Sequence, residues 1–545
     1  MNSHDFDPAV QEVFSKQYRE IAPTDWKSWL KISTNNAYED LCLKLSGLSD
    51  VKDLFDYIRD KQTESREFSI DVERYIKNYE SSSPLILCHT SGTTDSKKSA
   101  LKWFDMTKDI VRRTWAPGMQ AIFESSGLSS DGSVVIFIPS RMDTDGLKEL
   151  DGKSLVSLYS SEFSQRLMLS LIKPKSYLIY EYRNSKDIDI LIKILSLEKI
   201  TAISAPAATI LGWADFDKLK RGLEKSLKQD KTEKNSADSW FYSEMKAVGF
   251  DGAVKKLQSA LSEKIANACL VFSISSLSES DWTLIRNFMK WKKGEERFTN
   301  LYVASEVGPL ASSIHNGDFS VARSNQMYLF PTYLPVIEYR SKKELVSRTK
   351  TSKGGLYISR EDTNGPLINI NLGDVVKLVK NEGLPLIEGK ILRNSFRLKY
   401  PIKISKKIPV VSNYQACAGD LFQFKQFDIF DPRRLLNFLS GNCGVDIDSL
   451  LLVKFNSEGS SGWNLYIQES GSSRCKKVYE LKNLFSKIPF DDGLIKAISS
   501  EIIDIKLIDE PPVTYFLPRS EMVKKVQKGE IPKGILKKWP LYIIM

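Results

Sequence analysis

Apolar positions recur at helical spacing through residues 8–80, where Gly and Pro are few. Within that stretch Val51, Leu54, Phe55 and Ile58 share one face of a predicted helix. From Pro84 the pattern changes to short unbroken apolar runs: Leu85 to Leu87, Val134 to Ile138, Tyr177 to Tyr180 and Ile200 to Ile203. Helical segments separate these runs. Alternation of this kind predicts an α/β fold whose strands are buried and largely parallel. Residues 217–268 return to helical spacing but are rich in Lys, Glu and Ser, which predicts a surface helical excursion with a solvated charged face. Residues 320–410 carry β-branched side chains and turn signals such as Asn364-Gly365 and Lys353-Gly354-Gly355, predicting an antiparallel β-rich part. Beyond Gly419-Asp420, two strand-like runs, Leu450 to Val453 and Leu465 to Ile467, lie among helical segments at Pro432 to Leu439 and Leu481 to Ser486. The predicted organisation is a large domain, 1–418, followed by a small α+β domain, 419–545, of ordinary domain size.

Composition narrows the class. The chain has 545 residues, too many for one ordinary core, and is 42% hydrophobic and 27% charged, as soluble globular proteins are. No apolar run approaches the ~18 residues that span a bilayer, and the polar start has no basic, then apolar, secretory pattern. Cys42, Cys88, Cys269, Cys417, Cys443 and Cys475 form no C-x-x-C pair, which suits a reduced, cytoplasmic protein. With only His4, His89 and His315, and no G-x-S-x-G elbow, a histidine-built metal site and a Ser-His-Asp hydrolase are disfavoured. A formal charge of +10 fits an anionic ligand or a merely basic surface. Zinc-finger spacing, RNP motifs and basic heptads are absent, so neither a nucleic-acid nor a membrane partner is expected.

The chemistry concentrates first at Thr90-Ser91-Gly92-Thr93-Thr94, followed by Asp95-Ser96-Lys97-Lys98. Four hydroxyls surround one glycine. Hydroxyls and backbone N–H groups donate to phosphate oxygens, Gly92 permits close approach, and Lys98 supplies a cation. A Ser/Thr-rich surface turn has the same composition, and the Walker spacing is absent. Thr90 to Lys98 resembles the phosphate loop of the acyl-adenylate-forming superfamily, T-S-G-T-T-G-x-P-K, with Asp95 where the family has Gly and Lys97 where it has Pro. Asn300 to Glu306 is similar to that family's Y-G-x-T-E segment and to the Y-A-S-S-E form of plant acyl-acid amido synthetases. The resemblance implies that Tyr302 packs on adenine, Ser305 meets the α-phosphate region and Glu306 holds Mg²⁺. Asn371 to Leu378 looks like the G-D segment, which implies that Asp374 binds the ribose hydroxyls.

Further segments follow in the same order. Lys199 to Pro206 resembles the strand-to-loop segment that begins the acyl pocket. Trp213 lies nearby and is as readily an ordinary core residue. Ala418 to Pro432 resembles the hinge of phenylacetate-CoA ligases, which implies that Asp420 is the pivot of the small domain. The family's G-R pair is missing just before the hinge; Gly389-Lys390 resembles a displaced remnant of it with an insertion following, which implies that Lys390 binds the nucleotide. Leu517 to Val526 resembles P-R-S-E-G-K-A-K-R-V. Aligned without a gap, Met522 and Val523 fall on the family's Gly and catalytic Lys, so Lys524 is the assigned catalytic lysine, with Lys525 and Lys533 as the other readings. Thr90 and Glu306 complete the implied catalytic set.

The resemblance implies ATP- and Mg²⁺-dependent activation of a small carboxylic acid to acyl-AMP, with coenzyme A as acceptor. An amido synthetase using an amine or amino acid is the alternative, and a non-catalytic nucleotide- or partner-binding relative is a third. The identity of the acid and the oligomeric state are not set by these residues.

Overall fold

A computed structural model describes most of residues 7–30, 58–90, 101–229, 240–273, 279–313 and 326–388, and the segments 422–430, 451–455, 463–468, 503–508, 519–530 and 541–544 beyond them. Helix α1 (Pro8–Gln17) starts where the Asp7 carboxylate accepts from the Ala9 N–H, with Pro8 in the first turn. Helices α2 (Trp26–Leu30) and α3 (Val72–Lys77) follow. Among the described residues the region read as helical up to residue 80 is helical in these three elements and in short turns at 43–44 and 58–59, and Val51 to Tyr57 lie outside the described residues.

The first sheet is small. It joins β1 (Leu85–His89) to β2 (Trp103–Asp105) and, later in the chain, β4 (Gly146–Leu150) to β5 (Lys153–Tyr159), in the order β2-β1-β5-β4. β1 is buried along its whole length, as its unbroken apolar run requires. It pairs antiparallel with β2 and parallel with β5. The run Leu85 to Leu87 is therefore a strand, as expected, but it belongs to a different sheet from the other predicted strands. β4 and β5 form a hairpin that the apolar-run pattern does not announce, because β4 carries three exposed residues. Its turn is Asp151-Gly152, both at positive φ (51° and 72°), the left-handed pair that a two-residue hairpin favours.

The large sheet has twelve strands among the described residues. Its parallel half runs β6 (Ser176–Glu181), β3 (Ser133–Ile138), β7 (Ile200–Ser204), β8 (Cys269–Ser273) and β9 (Phe298–Ala304). Helices cover it, among them α4 (Ala116–Ser125), α5 (Ser160–Ile172), α6 (Ile188–Ser196) and α7 (Ala207–Ala214). β3 is buried at all six positions, the signature of a strand covered on both faces. The other half is antiparallel throughout: β10 (Gly308–Ser312), β11 (Gln326–Leu329), β12 (Leu334–Tyr339), β13 (Lys342–Leu345), β14 (Thr351–Arg360), β15 (Leu367–Val379) and β16 (Leu386–Glu388). This is the β-rich part expected at 320–410, as far as it is described.

The helical excursion is α8 (Phe216–Gln229) and α9 (Trp240–Lys264), the latter broken at Gly249. Its inner face is buried: Leu219, Leu223, Phe241 and Leu257 join the core with Trp213, whose Nε1 donates to the Ser185 carbonyl at 2.7 Å. Trp213 is thus a core residue. The final described part is a four-stranded sheet of β19 (Leu451–Phe455), β20 (Trp463–Gln468), β21 (Ile503–Ile508) and β22 (Leu541–Ile544), ordered β21-β20-β19-β22. The short pair β17 (Phe422–Phe424) and β18 (Phe427–Phe430) precedes it, and the helix α10 (Arg519–Gln527) lies between β21 and β22 in the chain. The mixed α/β class expected from the pattern is the class observed. Among the described residues no helix is long and apolar enough to cross a membrane.

Candidate functional site

β1 ends at His89 and delivers Thr90 to the start of the hydroxyl-rich loop. Thr90 N donates to the Lys102 carbonyl at 3.0 Å, and Lys102 N donates to Thr90 Oγ1 at 3.2 Å. The two ends of the loop are thereby clasped, continuing the β1–β2 pairing of His89 with Trp103. Ser91, Gly92, Thr93, Thr94 and Lys98 lie outside the described residues, as does Asp95.

Lys102 was not singled out by the motif pattern, and it is the cation the structure places here. Its Nζ donates to Ser65 Oγ and stands 3.8 Å from Glu306 Oε1. The sequence signal for it is slight: a lysine immediately before the strand that closes the loop. Glu306 sits on the turn that joins β9 to β10, with its side chain 18% exposed. Val307 N donates to the Ala304 carbonyl at 3.2 Å, and Gly308, at φ 107°, lets the chain reverse where a side chain would meet Tyr333 and Trp115. Arg360, at the end of β14, donates through Nε and Nη2 to the Glu306 carbonyl at 3.4 and 3.3 Å. Its Nη1 is held by Asp362 at 2.7 Å. The backbone of the turn is therefore anchored while the Glu306 carboxylate remains turned toward Lys102. Ser305, on the same turn, is buried.

Asp374 reaches this site by a bulge. Tyr357 pairs with Asn371 and Gly355 with Val375, so β15 has two more residues than β14 across that interval. Gly373 takes φ 71° within it, and its N–H donates to Asn371 Oδ1 at 2.9 Å. The bulge brings Asp374, 6% exposed, against Tyr302, 1% exposed, whose hydroxyl donates to Asp374 Oδ2. Three segments far apart in the chain, Thr90 with Lys102, Tyr302 to Glu306, and Asp374, thus form one connected site.

Other assigned residues fall elsewhere. Lys390, Asp420 and Lys533 lie outside the described residues. Lys524 is exposed on α10, and Lys525 Nζ is paired with Glu530 at 2.9 Å. The C-terminal end of α10 meets the large sheet's surroundings: the Gln527 carbonyl accepts from Asp143 N at 3.0 Å.

The electrostatics around β1 are acidic. The Cys88 thiol is pushed well above its ordinary range, first by burial and then by the nearby carboxylates of Glu306 and Asp145. Cys88 is accordingly a buried, neutral thiol. Among the described residues there is no cluster of three or more His, Cys, Asp or Glu side chains that could hold a metal by themselves. Glu306 is a single carboxylate on this turn, of the hard-oxygen kind that Mg²⁺ takes as a protein ligand when other oxygens complete its shell.

No family model and no curated protein matches the chain. Among solved structures it is similar to ATP-bound MatB from Rhodopseudomonas palustris, at 11% identity over 81% of this chain and 68% of that one, with a TM-score of 0.40. It is similar to an acyl-CoA synthetase from Brucella canis at 14% identity, covering 85% of this chain and 69% of that one, with a TM-score of 0.35. It is also similar to the amide bond synthetase McbA from Marinactinospora thermotolerans at 11% identity, 77% and 65% coverage and a TM-score of 0.36.

Proposed function

We propose that this chain activates a carboxylic acid with ATP, forming an acyl-adenylate and releasing pyrophosphate. The observation that carries the reading is the convergence of Thr90, Lys102, Tyr302, Glu306 and Asp374 on one site from three separate segments. A carboxylate oxygen of the acid attacks the α-phosphorus; the bond to the bridging oxygen breaks, and pyrophosphate leaves with its electron pair. Charge builds on the phosphorus oxygens. The hydroxyl-rich loop that begins at Thr90 and the Lys102 ammonium would supply donors to that charge, and preorganised donors of this kind stabilise it. Mg²⁺, held through Glu306, would neutralise phosphate charge. Asp374, an acceptor, is the residue for the ribose hydroxyls, and Tyr302 the residue for the base. Ser305 lies on the turn next to Glu306 and serves the α-phosphate. Lys524 enters from α10 in a small domain that begins near Asp420, so closure of that domain assembles the site. Lys390 joins the nucleotide contacts.

The second half-reaction transfers the acyl group to coenzyme A: the thiol sulfur attacks the carbonyl carbon and AMP leaves. An amine acceptor is the alternative, favoured by the Tyr302 to Glu306 segment. Acid-dependent exchange of pyrophosphate into ATP, run across aryl, fatty and amino acids, tests the activation step. Exchange with at least one acid is expected; no exchange across the panel would leave a nucleotide- or partner-binding protein. Product analysis with coenzyme A against amines then separates the acceptors.

A further inference from the structure

Beside the root of the phosphate loop lies a buried pair that the proposed reaction does not use. His89 Nδ1 is 2.8 Å from the Thr90 carbonyl, and Nε2 is 2.7 Å from Asp145 Oδ1. The two side chains are 0% and 1% exposed. A carbonyl only accepts, so Nδ1 donates to Thr90, and Nε2 shares its hydrogen bond with the Asp145 carboxyl. Trp103 and Tyr159 flank the ring, with centroids 4.6 and 5.9 Å away, and hold its plane. Burial of such a pair is tolerated only when its hydrogen bonds are complete. Asp145 Oδ2 completes them by accepting from Met142 N at 2.9 Å, while Asp145 N donates to the Met142 carbonyl at 2.9 Å.

The turn built this way has a second contact. Asp143 N donates to the carbonyl of Gln527, the last residue of α10, at 3.0 Å. The Gln527 amide, with its oxygen turned to accept, lies 2.7 Å from Arg183 Nη1, a second hold on the same helix end. Val526 is buried there. Lys524 lies three residues earlier on the same helix, about one turn. An unbroken chain of hydrogen bonds and short covalent links therefore runs from Thr90 through His89, Asp145 and the 142–145 turn to α10.

We propose that His89 and Asp145 are positioning residues that couple the phosphate loop to the docking of α10, so that a nucleotide seated at Thr90 steadies the helix carrying Lys524. The inference rests on the ATP reading above. The two are separable by amide hydrogen exchange on the full chain with and without Mg–ATP. In the unaltered protein, Mg–ATP is expected to slow exchange in residues 84–104 and in 519–527. In Asp145→Ala the first segment keeps its protection and the second loses it. Because that variant leaves His89 without its partner and risks misfolding, the double variant His89→Phe/Asp145→Leu serves as a second test: it removes both members of the pair together, keeps an aromatic ring in the stack, and is expected to show the same uncoupling. Asp145→Asn preserves both hydrogen bonds with a neutral ring and is expected to remain coupled. Protection of 519–527 by Mg–ATP in the folded double variant would overturn the coupling while leaving the ATP reading intact, as would loss of it in a folded Asp145→Asn. Absence of any Mg–ATP response in the unaltered protein would overturn the ATP reading and this inference with it.

Discussion

Asp374 shows how much of the site is decided by a single backbone choice. Its carboxylate meets Tyr302 from within the β15 bulge, where Gly373 takes the left-handed conformation. Asp374→Ala removes the acceptor proposed for the ribose and leaves the Tyr302 hydroxyl buried without it. Since hydrogen bonds to charged groups contribute about 1.5–3 kcal/mol, ATP affinity is expected to fall roughly 10- to 100-fold, read by nucleotide titration. Retained affinity would remove Asp374 from the site. Lys102→Met tests the residue that the motifs missed. It removes the cation next to Glu306, and ATP binding is expected to weaken and to become less sensitive to salt, read by titration at two ionic strengths. Thr90, Tyr302, Glu306 and Asp374 were singled out in the sequence because each sits in an ordered short pattern, and the fold brings them near one another. Lys102, Arg360 and His89 were not, because their roles come from contacts across 12 to 56 residues or more and leave no local pattern.

At the scale of elements, the sequence was legible where a strand is an unbroken apolar run. β3, β6 and β7 appear in the chain as apolar runs and in the fold as parallel strands of one sheet. The β4–β5 hairpin was missed because β4 is exposed on its outer residues, although Asp151-Gly152 marks the turn. Between α6 and the excursion, Lys186 offers an elemental test of packing. Its stem runs past Gly212 of α7 and Gly222 of α8, where a Cβ would approach it to 2.8 and 2.3 Å. Burial, then Lys218, and also Arg221, lower its pKa to about 8, with Asp215 opposing. The unfolded chain holds that proton up to about 10.5, the ordinary lysine value. The folded state therefore carries a penalty that is complete below pH 8 and disappears as the pH rises toward 10.5. Lys186→Met is expected to raise the denaturation midpoint at pH 7 and to flatten its rise between pH 8 and 10. Parallel pH profiles for the two proteins would show that the amine is not desolvated.

For the whole molecule, the proposed reaction requires a lysine on α10 to act on a nucleotide at Thr90. Lys524 is exposed, one turn before the point where Gln527 meets Asp143. That contact fixes one end of the helix beside β3 and β6 and leaves the lysine on its open side. The arrangement suits a group that is carried to the site by movement of its domain and not built into the core. It also explains why the sequence left the choice of lysine open: a residue that acts only on closure needs no buried neighbours, so its surroundings carry no pattern of burial. Lys525 is a poorer candidate, since its ammonium is held by Glu530. Lys524→Ala is therefore expected to leave ATP affinity unchanged and to lower acid-dependent pyrophosphate exchange by at least about tenfold, a loss of roughly 1.4 kcal/mol of transition-state stabilisation. Binding and exchange must be measured on the same preparation, because their separation is the result that matters. A variant that loses both would place Lys524 in nucleotide binding, and one that loses neither would transfer the catalytic assignment to Lys533.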